Sequence, residues 1–327
     1  MSLRIPRIAV VGSYATGLTL KVNRLPSMGE TVLASGYRVD YGGKGSNQAV
    51  ACARLGMDVV FVARIGEDMF GEMALRLYRE EGIDIDFIHR TAENPTGVGF
   101  ILVEAGTGNN CIALDPGANE FLSATDVAQC DSSFDAAAVV MTQLETPVAT
   151  AEAALARGRA KGAITILNPA PVRPLPASIL QLVDVLTPNQ TEAKVLTGRS
   201  PDAKNEPEEV ARDLIRAGVR QVVMTLGERG ALVVTASSCK HIPAMQMRAV
   251  DTTGAGDAFN AGLATALASG ESLNSAVEFA VITGGIAVTK EGVIPSLPGR
   301  KEVIQFYQEH RRQPPGWLLS LDRMKRV

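Results

Sequence analysis

Residues 41–66 read YGGKGSNQAVACARLGMDVVFVARIG. Three glycines in four positions open the stretch, Gln48–Leu55 has helical spacing and an Ala-rich apolar face, and Val59–Ala63 is an apolar run of strand length. A Gly-rich turn, a helix and a buried strand in that order form part of a βαβ unit. Outward from it the same rhythm recurs. Apolar runs at Ile8–Val11, Ala138–Met141, Ile164–Leu167, Val183–Leu186 and Val222–Leu226 alternate with helical stretches at Glu72–Glu81, Val148–Lys161 and Glu208–Ala217. Such alternation predicts an α/β chain with a three-layer, doubly wound, mostly parallel sheet covered by helices on both faces.

Two regions break the rhythm. Residues 13–40 and 96–115 hold strand-like pieces, Thr31–Val39, Gly97–Val103 and Asn110–Leu114, with no helix between them and a hairpin-type turn GTGNN at 106–110. They predict a small antiparallel β lid, inserted discontinuously into a body made of 1–12, 41–95 and 116–310, with 311–327 as a C-terminal tail. A hinged sheet of this kind can close a cleft and exclude water.

The composition excludes several function classes. A formal charge of -3 in 327 residues gives no footprint for nucleic acid or an anionic membrane. No run approaches the length of a membrane span, and MSLRIPRIAVVG lacks the apolar core of a signal peptide. Cys52, Cys111, Cys130 and Cys239 form no CxxC pair, and His89, His241 and His310 form no zinc pattern. A soluble protein of the reduced cytoplasm is expected. Basic residues gather late, at His310, Arg311, Arg312, Arg323, Lys325 and Arg326, and read as a solvated tail.

Four segments carry chemistry. In DTTGAGDAFNAG, residues 251–262, glycines precede an Ala-rich helix, so backbone N–H groups can face an anion at the helix N-terminus. Asp257, in the first turn, can take a proton from an attacking hydroxyl; as an ordinary helix N-terminal acid it would contribute about 0.3–1 kcal/mol. A dinucleotide fingerprint fails because Phe259 stands where the third glycine belongs, and a phosphate-loop pattern fails around Lys44. The second segment, Gly42–Ala49, offers Lys44 and Asn47 as donors to a polyhydroxylated ligand, or is a flexible turn. The third, Thr187–Glu192, places Asn189 and Glu192 at a strand end, near metal-bound phosphates or as a helix cap with its capping-box acid. The fourth is Thr225–Gly230, a strand end and turn.

In this order and spacing the segments resemble the ribokinase-like (PfkB-type) carbohydrate kinase family over roughly residues 7–310, and within it the ribokinase branch. PSMGET, MTQLETP, LNPAP, TPNQTEA and TLGERG are intermediate matches. The resemblance implies direct transfer of the ATP γ-phosphoryl to a sugar CH₂OH, with Asp257 as base and the amides of Gly254, Ala255 and Gly256 as anion hole. It implies sugar contacts at Gly43, Lys44, Gly45, Asn47, Glu145 and Asp257. Nucleotide contacts are implied at Asn189, Thr225, Gly227, Gly230 and Gly256, with Mg²⁺ on the phosphates at Glu192. A monovalent cation such as K⁺ is implied around Asp251, Thr253, Ala287, Lys290, Gly292 and Ser296, mostly through carbonyl oxygens. A homodimer through the lid sheets is implied as well.

One segment departs from the family. Its usual GS-x-N-x-D reads Gly12–Ser13–Tyr14–Ala15–Thr16–Gly17 here, so the Asn and the sugar-pairing Asp are missing. Two readings follow: the pocket takes another furanose or a bulkier or less hydroxylated ligand, with Tyr14 or Thr16 as replacements, or a local shift in alignment or compensation from Lys21, Asn23 or another lid residue makes good the loss. A nucleoside kinase and a non-catalytic sugar-binding protein are the competing functions.

Overall fold

The structure, a computed structural model, describes residues 4–324. Its strands in chain order are β1 (Arg7–Val11), β2 (Ala15–Val22), β3 (Ala34–Gly42), β4 (Asp58–Gly66), β5 (Ile88–Thr91), β6 (Gly97–Glu104) and β7 (Asn110–Asp115). Then follow β8 (Ala137–Thr142), β9 (Ile164–Leu167), β10 (Val185–Leu186), β11 (Gln221–Thr225), β12 (Ala231–Val234) and β13 (Cys239–Ile242). Nine of them form one sheet, ordered β13-β12-β11-β10-β9-β8-β1-β4-β5. From β5 to β11 every pairing is parallel, and β12 and β13 close one edge antiparallel.

Alternation along each strand builds the three layers. Ile8 and Val10 of β1 pack with Phe61 and Met141 beneath helices Lys44–Arg54 and Ala255–Ala268, while Ala9 and Val11 pack with Val62, Val140 and Phe134 on the opposite face. Because the strands run parallel, their C-terminal ends share one rim, the edge at which open α/β sheets bind ligands.

β2, β3, β6 and β7 form the second sheet, ordered β3-β2-β6-β7. Its outer pairings are antiparallel and the central β2–β6 pair is parallel. This pairing follows from connectivity: β2 leaves the end of β1 and β6 the end of the β5 region, so both depart the same rim in the same direction. The strand expected at 31–39 forms at 34–42, and β2 itself was not separately predicted, since Thr, Gly and Lys interrupt its apolar alternation. β5, β12 and β13 are edge or near-edge strands of four residues each, too short to stand out, and β5 and β13 are also mixed in character.

The C-terminal part is not a solvated tail. Helix Gly316–Ser320 returns to the body, burying Leu318 and then Leu321, with Trp317 edge-on to Phe279 at 5.0 Å. Arg300 pairs with Asp322, while Arg311 and Arg312 stay exposed. Lys325 and Arg326 lie outside the described residues. Among the described residues no helix is long and apolar enough to cross a membrane, and no three His, Cys, Asp or Glu side chains cluster to hold a metal ion.

Candidate active site

At this rim stands Asp257, in the first turn of helix Ala255–Ala268 and only 7% exposed. Asn47 Nδ2 donates to its Oδ2 at 2.8 Å and Gln48 Nε2 to its Oδ1 at 2.9 Å. Burial pushes this carboxyl above its ordinary range; the Lys44 charge and the donations from Gln48 and Asn47 oppose the rise, and Glu145 adds to it. The arrangement suits a general base: it is fixed in place, and its proton affinity is raised while the donors keep the ionised form accessible.

Gln48, fully buried, extends the network. Its Nε2 also donates to Asn168 Oδ1 at 3.1 Å, and its Oε1 accepts from Gln143 Nε2 at 2.6 Å. Asn168 Nδ2 donates to the Thr187 carbonyl, Thr187 Oγ1 to Asn260 Oδ1, and Asn260 Nδ2 to the Gly256 carbonyl. The network runs from one helix across the rims of β8, β9 and β10 to the helix that carries Asp257. Of its side chains, sequence reading singled out only those of Asn47 and Asp257; Gln48, Gln143, Asn168, Thr187 and Asn260 were missed as site residues.

Glu145 stands beside this floor. Its Oε2 accepts from Ser13 Oγ at 2.6 Å and from the Lys44 backbone N–H at 2.8 Å, and Oε1 keeps no partner among the described residues. Gly45 is demanded by packing: a Cβ there would lie 2.5 Å from Ser13 N and 2.6 Å from Gly12 C. Gly43, with φ of 87°, turns the chain into the helix, and a Cβ there would lie 2.7 Å from Tyr14 Cα. Both glycines therefore shape the wall. Lys44 reaches further, since its charge is felt at Asp257 and at Glu192.

Tyr14 and Thr16 do not replace the missing polar pair. Both are fully buried, their hydroxyls bond to each other at 3.0 Å, and burial pushes the Tyr14 hydroxyl up to about 12. Tyr14 packs edge-on against Tyr78 on the far side of β2. Ala15 and Gly17 occupy the face that continues from Ser13, whereas Lys21 and Asn23 are exposed at and beyond the far end of that strand.

Further along the same rim, Asn189 and Glu192 form a full capping box: Asn189 Oδ1 accepts from Glu192 N, and Glu192 Oε2 from Asn189 N, both at 2.8 Å. Asn189 Nδ2 and Glu192 Oε1 remain without protein partners among the described residues. Burial pushes the Glu192 carboxyl up, against the Asn189 donation and the Lys44 charge. Asn189 bridges Thr225 in parallel, so the two predicted nucleotide segments meet. Gly227 faces open space, but Gly230 abuts the β13 exit, where a Cβ would lie 2.1 Å from the Ile242 carbonyl.

The helix start at 254–257 forms a cradle. The Ala255 N–H bends back to the Thr252 carbonyl at 3.3 Å, so of the three amides expected to bind an anion it is the least available. The amides of Gly254, Gly256 and Asp257 have no acceptor among the described residues, and a Cβ on Gly256 would enter empty space. These features fit a phosphoryl group. Behind the cradle the 251–253 and 287–296 loops meet where Gly292 N–H donates to Asp251 Oδ2 at 3.0 Å. Burial works against an ionised Asp251, yet donations from Thr253 and Gly292 and the charge of Arg38 bring its carboxyl below the ordinary range. The carbonyls of Asp251, Thr253, Lys290 and Gly292 have no donor among the described residues and fit a monovalent cation. Those of Ala287 and Ser296 are already engaged, by Lys290 N–H and by its ammonium, which also pairs with Glu302.

Residues 6–300 match the pfkB family of carbohydrate kinases. A ribokinase of Haemophilus influenzae is 36% identical over 301 residues, covering 92% of this chain and 98% of that protein. A deoxyribokinase of Salmonella typhi is 33% identical over 300 residues, covering 91% and 98%. Arabidopsis thaliana ribokinase, solved in complex with ribose and ATP, superposes with a TM-score of 0.85 at 30% identity, covering 93% of this chain and 98% of that one.

Proposed function

Because the chain belongs to the pfkB family of carbohydrate kinases, we propose that it transfers the ATP γ-phosphoryl to a primary hydroxyl of a small free sugar, with Asp257 as general base. The observation that carries this reading is Asp257 itself: a buried carboxylate, gripped by two amides and next to a helix N-terminus whose N–H groups are free. The sugar oxygen would attack the γ-phosphorus as its proton passes to Asp257, and the bond to the β-phosphate oxygen would break to leave ADP. The amides of Gly254, Gly256 and Asp257, and more weakly Ala255, would hold the developing charge.

Asn47, Glu145 and Lys44 would bind the sugar on the wall shaped by Gly43 and Gly45. Asn189, Thr225 and Gly227 would meet the nucleotide, with Gly230 setting their loop. Mg²⁺ would neutralise phosphate charge when bound, with Glu192 turned toward it. K⁺ would be held by the carbonyls of Asp251, Thr253, Lys290 and Gly292, with Ala287 and Ser296 contributing less. The outer face of the small sheet exposes Tyr37 (81%) and Phe100 (51%), which supports a homodimer formed there. The cytoplasm, with its ATP and Mg²⁺, is the proposed compartment.

The test is ADP release by the purified protein with Mg²⁺ and ATP, with and without K⁺, across pentoses, hexoses, their deoxy forms and nucleosides. A free sugar should be the best acceptor, and Asp257→Asn should lower kcat by about 10²–10⁴. Turnover confined to nucleosides, or an Asp257→Asn enzyme with unimpaired kcat, would defeat the proposal.

A further inference from the structure

The inner face of the small sheet is the one continuous with Ser13, and through Ser13 with Glu145 and Lys44. Across that face, β3, β2, β6 and β7 align Asp40, Gly17, Gly99 and Leu114 in one row. Two adjacent glycines leave a hollow bordered by the Ile101 and Leu114 side chains. The nearest atoms to a Cβ built on Gly17 would be the Ile101 side chain at 3.8 Å and Asp40, whose Cβ and carbonyl lie 3.9 Å away. Asp40 is therefore the polar group at the rim of a glycine-floored depression, and among the described residues it is the only carboxylate that the strand alternation places on this face.

We propose that Asp40 is a specificity-determining residue, accepting hydrogen bonds from the hydroxyls of the sugar at the end remote from the phosphorylated CH₂OH. This inference rests on the sugar-kinase reading of the site and extends it to the acceptor class: a sugar that retains a hydroxyl pair far from its reacting end. The carboxylate absent from β2 at Gly17 is thus supplied from the paired position of β3. Because the two positions face each other across the ladder, a carboxylate on either strand addresses the same hollow, and the exchange moves its approach sideways by one strand spacing.

Arg38, two residues earlier on the same face, is ion-paired with Asp40 and is the more exposed partner, at 56% against 26%. Its charge also reaches Asp251, and β3 packs on helix Val293–Ser296 beside the cradle. Arg38 consequently stands between Asp40, its ion-pair partner, and the loop that leads to Asp257. Were the pair an ordinary surface ion pair, removing it would change little.

The experiment compares wild type, Asp40→Ala and the double variant Gly17→Asp/Asp40→Ala, using the best sugar acceptor and its deoxy analogues, each lacking one hydroxyl. A Cβ at Gly17 would meet nothing closer than 3.8 Å. Asp40→Ala should raise sugar KM by about ten- to hundredfold with ATP KM unchanged, and should abolish discrimination against one particular deoxy analogue. The double variant should restore that discrimination. Unchanged sugar KM and discrimination in Asp40→Ala would overturn the inference. So would a parallel rise in ATP KM, or a double variant that stays indifferent to the hydroxyl, since either would assign the effect to the strand and not to the carboxylate. Sugar-induced thermal stabilisation without ATP separates the two readings. A protein that binds sugar but never phosphorylates it breaks the kinase reading, and Asp40→Ala is then judged by loss of the stabilisation alone.

Discussion

Replacing Gln48 by leucine tests the network under Asp257. The side chain is fully buried, and its Nε2 lies 2.9 Å from Asp257 Oδ1. A hydrogen bond to a charged group contributes about 1.5–3 kcal/mol, and one pKa unit corresponds to about 1.4 kcal/mol. Removing the donor should therefore raise the Asp257 pKa, already above the ordinary aspartate value, by about one to two units further. The acidic limb of kcat/KM, which reports the free enzyme's base, should move upward by the same amount, while the plateau at higher pH stays within about tenfold of wild type.

Stability should change in a related way. Gln143 Nε2 and Asn168 Oδ1 lose their partner, at about 1–3 kcal/mol for each group left unpaired. A carboxyl whose folded pKa is raised stabilises the fold below its unfolded pKa, and that contribution is lost as pH rises through the folded value. The Gln48→Leu deficit should thus be largest at neutral pH, where Asp257 must ionise without its donor, and should shrink on acidification. Denaturant melts across the pH range and pH–rate profiles measure both effects. An unmoved acidic limb with a depressed plateau would refute the reasoning, because it would mean that Gln48 does not stabilise the ionised carboxylate.

Gly45→Ala should destabilise by about 1–3 kcal/mol, since its new methyl meets backbone at Ser13 and Gly12 and not a side chain that could rotate away. Sugar KM should rise more than ATP KM, because the Ser13–Glu145–Lys44 wall moves; equal effects on both would contradict that placement. Asp68→Ala should cost about 2–4 kcal/mol at neutral pH, as Asp68 caps helix Met69–Glu81 through Gly71 N and also accepts from Thr96 N and Oγ1 at the root of β6. Burial works to raise the Asp68 carboxyl, but these donors bring it below its ordinary value. Its stabilisation is accordingly complete above the unfolded pKa and lost as pH falls through the folded one, so the difference between wild type and variant in urea melts should be flat near neutrality and close in acid. A difference that widened in acid would be inconsistent with the assigned bonds.

The sequence was legible wherever a local pattern also determines the tertiary outcome. The turn and helix of residues 41–55 and the glycine approach to Asp257 could be read because backbone approach and helix entry depend on neighbouring residues. Glu192 shows that two readings of one motif can coexist. The capping box uses one carboxylate oxygen and one amide oxygen, and leaves Oε1 and the Asn189 amide nitrogen for a ligand. The C-terminal segment was misjudged because its basic residues outweighed the spacing of Trp317, Leu318 and Leu321, which marks one buried helix face.

Asp40 and Gln48 were illegible for a different reason. Asp40 acquires meaning only through the register that sets it opposite Gly17, and Gln48 only through partners 95 to 209 positions away in the chain. Even so, part of the network had a usable signal. In a parallel sheet, both faces of each strand are buried, so an apolar run should end only where the chain leaves the core at the shared rim. The polar residues just past those runs are Ser13 after β1, Gln143 after β8, Asn168 after β9 and Thr187 after β10, and each is hydrogen-bonded within the site. Once the sheet is judged parallel, polar residues just past the C-terminal ends of its inner strands become site candidates, because they emerge at the same edge. The rule cannot reach Gln48 or Asp40, which enter from a helix and from the second sheet, so those two depend on knowing the packing itself.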